Sequence, residues 1–173
     1  MVRHIADSSE DNAMKFKIPF LFLALGAWMF IFAAPGALAQ DDASYVKYRQ
    51  RIMKSIVTNW GGIKSVLKNK LPVKGNLAGH ARIISQNAKM IAAAFKKEVT
   101  EGKTDALPKI WENMQGFQKA AKKLGRESAK LAKVLASGDG NAIKAQMKNT
   151  GKACGGCHKK FRKKKKDSYR KKK

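Results

Sequence analysis

From Tyr45 onward, apolar side chains return every third or fourth residue, the repeat that lines them along one face of an α-helix. Tyr45, Tyr48, Ile52, Ile56, Trp60, Ile63 and Leu67 make the first series, and Leu77, Ala81, Ile84, Ala88, Ile91 and Phe95 the second. A third, longer series passes through Ile110, Met114, Phe117, Ala121, Leu124, Ser128, Leu131 and Leu135 in alternating steps of four and three, the seam of a bundle helix. Ile143, Met147, Thr150, Cys154 and Phe161 continue it as a fourth. No stretch alternates as a strand would.

Turn-type residues gather between these series, at Leu71-Pro72 to Gly75, at Thr100 to Pro108 and at Ser137 to Gly140. Short connections make successive helices antiparallel neighbours, so the pattern predicts an all-α fold, an up-down-up-down four-helix bundle with room for a cofactor between facing helices. Composition agrees: 173 residues, 44% hydrophobic and 28% charged, suit one folded domain, and two cysteines exclude a disulfide-dense scaffold. Gly151, Gly155 and Gly156 weaken the fourth helix by about 1 kcal/mol each relative to Ala. Beside the cysteines they also let a bulky group approach the backbone.

An uncharged run from Ile18 to Gln40 precedes the helical series, with Lys15 and Lys17 before it and Ala37-Leu38-Ala39 at its end. A basic start, an apolar core and small residues at alternate positions describe an export signal cleaved before Gln40. Met14 is an alternative start, since residues 1–13 are polar and add nothing to that signal. An uncleaved membrane anchor is the competing reading, because a run of this length spans a bilayer. Both put the remainder outside the cytoplasm. The expected organisation is a signal at 1–39, a bundle domain at 40–164 and a polybasic tail at 165–173.

Chemistry concentrates in Cys154-Gly155-Gly156-Cys157-His158, a C-x-x-C-H sequence of the kind that attaches haem c. On a helix the two cysteines sit one turn apart and face the same way, so both sulfurs can form thioethers with one porphyrin. His158 then brings its imidazole to the iron as proximal ligand. Three other readings compete. A Cys154–Cys157 disulfide suits an oxidising compartment, but helical placement disposes the sulfurs poorly for it. A thioredoxin-like pair needs a helix N-terminus beside a sheet. A zinc site would need His80 as a distant fourth ligand and lacks a second paired motif.

The late position of Cys154 to His158, the following Phe161-Arg162, the Pro108-Lys109-Ile110-Trp111 and Ser137-Gly138-Asp139 boundaries, and Tyr48-Arg49-Gln50 near the start resemble the cytochrome c′ family, the class II c-type cytochromes. The resemblance covers essentially residues 44–162. It implies one covalent haem c between the helices, with the first helix over the distal face and Met53 directed at the iron. A thioether there, with His158 opposite, implies a low-spin one-electron carrier. The family also has five-coordinate members that admit only small gases such as NO or CO, and Met53 serving purely as packing would leave that alternative open. The resemblance further implies haem contacts for Arg49 and Arg162 and a homodimer through the first two helices. His80 reads as an edge residue rather than an iron ligand, and Trp60 and Trp111 as core or haem-edge packing.

Charge bears on partners. Lys and Arg number 37 against 12 Asp and Glu, and removing residues 1–39 leaves the net charge at +25. Between Lys159 and Lys173 stand eleven of these cations and one Asp, more than a helix C-terminus needs for its dipole. Such a surface steers acidic redox proteins and is drawn to anionic lipid. Export argues against a specific nucleic-acid role, and no acid–base or nucleophile constellation marks an enzyme. The expectation is a periplasmic haem protein, with membrane association as an added option.

Overall fold

The computed structural model describes residues 36–171, with side chains from 42 to 170. The expected signal at 1–39 therefore lies outside the described residues, except that its last four positions open the first helix. Five α-helices follow: α1 Gly36–Lys68, α2 Leu77–Ala94, a one-turn α3 Lys109–Glu112, α4 Met114–Ser137 and α5 Gly140–Phe161. Three 3-10 turns complete the order, one before α2 and two after α5. The four long helices are the expected bundle. Among the described residues there is no strand beyond one isolated bridge, Ala106 with Arg162, and no helix is long and apolar enough to cross a membrane.

Helix ends fall where the turn chemistry places them. After α1, Lys70 adopts a positive φ of 51°, and Leu71, standing before Pro72, is steered away from helical geometry. Gly138 caps α4 in the left-handed region at φ 78°, which costs glycine nothing. Asp139 then caps α5, its carboxylate accepting from the Asn141 and Ala142 amides at 2.9 and 3.1 Å.

Two expectations need correction. The third series was expected to be one helix, but Asn113 breaks it with φ −135° and ψ 58° and caps α4 by accepting from the Gly116 amide at 2.8 Å. A Cβ on Gly116 would lie 2.6 Å from that accepting oxygen, so the cap requires glycine there. In α1 the buried face also starts one residue later than expected: Val46 and Arg49 are buried, whereas Tyr48 is 48% exposed. The chain between α2 and α3 covers Arg49, and burial follows that cover rather than apolarity.

The remaining seams hold. Ile52, Ile56 and Ile63 of α1 meet Ala81, Ile84 and Ile91 of α2, with Phe117, Leu124 and Leu131 of α4, in one buried core. Packing runs α1 on α2, α2 on α4 and α4 on α5. The remaining side of the bundle, α1 against α5, is not closed by helix packing.

Candidate haem site

That open side is where the cavity lies, with a volume of about 740 Å³, within the range of cofactor pockets. From α1 come Arg49, Met53, Ile56 and Trp60; from α5 come Gly151, Cys154, Cys157 and His158. Ile110 and Phe117 form the floor. Sequence spacing alone put Met53 and His158 more than a hundred residues apart, and folding brings them to one space.

The cysteines sit in the interior of α5, both half-buried and not joined to each other. Burial raises the pKa of Cys154, and burial together with its neighbour Cys154 pushes that of Cys157 up to about 11. Burial, then the positive field of Arg162, lowers the His158 pKa and keeps the imidazole neutral, the form that binds a metal. Mid-helix placement argues against the disulfide and thioredoxin-like readings. As for zinc, His80 is occupied elsewhere: its Nδ1 lies 2.8 Å from Asn59 Oδ1, and its ring packs against Gly62 of α1. Among the described residues no group of three or more His, Cys, Asp and Glu is placed to hold a metal ion. Two thiols one turn apart, a neutral imidazole and a mostly apolar lining fit a haem held by thioethers.

Arg49 has a larger part than its sequence position revealed. It is 3% exposed, and it donates from Nε to the Ala94 carbonyl at 2.9 Å, from one terminal nitrogen to Val99 at 3.3 Å and from the other to Lys97. Its guanidinium lies 4.5 Å from the Phe95 ring centroid and 5.5 Å from that of Trp111. It thus both lines the cavity and clamps the chain between α2 and α3. Trp111 completes that clamp, donating from Nε1 to the Phe95 carbonyl at 2.8 Å. Phe95, Phe117 and Phe161 continue inward as an aromatic stack with centroids 5.0 and 5.3 Å apart. Arg162 is exposed at the cavity margin, and Trp60 lines it opposite Gly151, where a Cβ would come within 3.9 Å of the indole.

Asp105, Ser168 and Tyr169 line the same cavity and were not anticipated. The one available signal was weak: a Ser-Tyr pair interrupting a basic run, and an acid three residues before Pro108.

Comparisons with known proteins agree with this geometry. The cytochrome c′ family model matches residues 44–162. Cytochrome c′ of Rhodospirillum rubrum is 35% identical over 128 residues, covering 73% of this chain and 86% of that protein. Among solved structures, cytochrome c prime from Shewanella frigidimarina is 31% identical with a TM-score of 0.65, covering 71% of this chain and 97% of that one. A nitric oxide complex of a cytochrome c prime variant from Alcaligenes xylosoxidans is 26% identical with a TM-score of 0.63, covering 72% and 97%. The chain belongs to the cytochrome c′ family, whose members carry a covalently bound haem c.

Proposed function

We propose that this protein is an exported one-electron carrier in which Cys154 and Cys157 hold the haem, His158 is the proximal ligand and Met53 the distal one. The observation that supports the reading is the shared cavity: Met53 on α1 and His158 on α5 line it from the two helices that flank its open side. Haem supplies the ferric–ferrous couple. Met53 contributes a soft donor that favours low-spin iron and a raised potential. Ile56, Ile110 and Phe117 keep the site dry, and Trp60 and Gly151 shape its end. The net charge of +25 supports acidic redox proteins as partners, reached quickly at low salt. The same charge supports docking on anionic lipid, and the family resemblance supports a homodimer.

The nitric oxide complex of the Alcaligenes xylosoxidans relative favours a second reading, an open distal face that takes NO or CO for buffering or sensing. Absorption spectra separate the two. A carrier with Met53 ligated gives a low-spin ferric spectrum and a ferrous spectrum indifferent to CO. A high-spin ferric form that binds CO on reduction overturns the carrier reading and leaves the gas-binding one.

A further inference from the structure

The family match ends at residue 162, and the segment that follows is built into the cavity wall. The Lys163 amide donates to the Asp105 carbonyl at 2.8 Å. Both oxygens of the Asp105 carboxylate then accept, one from Ser168 Oγ at 2.9 Å and the other from the Tyr169 amide at 3.1 Å. Gln50 of α1 donates to the Tyr169 hydroxyl at 3.1 Å, one helical turn from Met53. Ser168 is 8% exposed. The segment therefore runs from the end of α5 to α1, across the side of the bundle that helix packing leaves open.

Charge along this segment is mostly positive, with Lys163 to Lys166 and Arg170 against Asp167. Asp105 is the one acid among the described residues lining the cavity, and the segment itself occupies its oxygens. Of the lining cations, Arg49 is committed to three carbonyls and Lys163 Nζ lies 3.3 Å from the Thr104 carbonyl, while Lys54 stands on α1 and Arg162 at the end of α5, outside the segment. Arg170 uses Nε on the Tyr169 hydroxyl at 3.0 Å and keeps its terminal nitrogens. Lys165 lines the same cavity. A haem brings two carboxylates, for which charge-assisted hydrogen bonds from such cations are the natural partners.

We propose that residues 163–170 form a strap closing the open side of the haem cavity, and that Lys165 and Arg170 on it bind the haem carboxylates. The inference rests on the haem assignment above. Cations beside the group favour its reduced state, which carries one positive charge fewer, and a closed side keeps out the water that favours the oxidised state. Both effects raise the reduction potential.

The test compares midpoint potentials of full-length haem-loaded proteins at low and high ionic strength. Lys165→Gln/Arg170→Gln removes the two cations, Ser168→Ala/Tyr169→Ala loosens the strap, and Lys166→Gln removes a neighbouring cation that does not line the cavity. The first two lower the potential, the charge variant more strongly at low salt, while Lys166→Gln and Lys165→Arg keep the wild-type value. An unshifted potential in both double variants, or an equal fall in the Lys166→Gln control, overturns the strap and leaves the haem assignment standing. Purified protein without covalent haem overturns both.

Discussion

Arg49→Met tests the clamp that joins the cavity to the loop below it. The substitution keeps an unbranched apolar stem and removes the charge and every donor. Three carbonyls, of Ala94, Lys97 and Val99, lose their partner in a place where the side chain is 3% exposed. Hydrogen bonds from a charged group contribute about 1.5–3 kcal/mol each, and the contact over Phe95, at 4.5 Å, adds about 1 kcal/mol. Against this stands the cost of keeping a guanidinium out of water. Burial lowers the Arg49 pKa, and Asp42 and Tyr45 only partly oppose it. Setting the lost bonds against that relief leaves a destabilisation of about 3 kcal/mol, typical of breaking a buried polar network. Urea unfolding of the haem-loaded protein, with an unchanged denaturant slope, reads it as a fall in midpoint. Arg49→Lys retains charge but not the planar fork, so it falls between the two. A loss below about 1 kcal/mol for Arg49→Met would refute the reasoning, because the carbonyls would then be satisfied without the guanidinium.

Three further outcomes follow from single contacts. Ser128 Oγ is fully buried without a hydrogen-bond partner, so Ser128→Ala leaves stability equal or higher by up to about 1 kcal/mol; a clear loss in a thermal melt would contradict this. Asp139→Ala removes the α5 cap and costs about 1 kcal/mol by chemical denaturation, while an unchanged midpoint would mean the cap contributes nothing. Met53→Leu nearly conserves volume and costs less than about 1.5 kcal/mol, yet the ferric spectrum turns high-spin and the ferrous protein takes up CO. A spectrum identical to wild type would rule out Met53 as a ligand.

Legibility in the sequence followed the physics of each feature. The seams of α2 and α4 were readable because most of their buried positions are apolar, from Ala81 and Ile84 to Leu131 and Leu135, and the buried Ser85, Asn87 and Ser128 are too few to break the repeat. Asn113 was not, since a cap acts through one side-chain oxygen and leaves the apolar repeat on either side intact. The Tyr45–Arg49 stretch of α1 misled for a related reason: Arg49 is buried by hydrogen bonding to a distant loop, and no local pattern announces a buried cation. Cys154, Cys157 and His158 stood out because their chemistry is encoded in spacing within one helix. Their cavity needed the fold, and so did Asp105, Ser168 and Tyr169, which meet only through contacts more than sixty residues apart.

The most direct test of a covalent haem at Cys154 and Cys157 is the intact mass of the purified protein after denaturation, measured on wild type and on Cys154→Ala/Cys157→Ala. Wild type should exceed the mass of its polypeptide by one haem, and the double variant should match its bare chain. A wild-type mass equal to the polypeptide alone, or haem retained by the double variant through denaturation, would contradict the assignment.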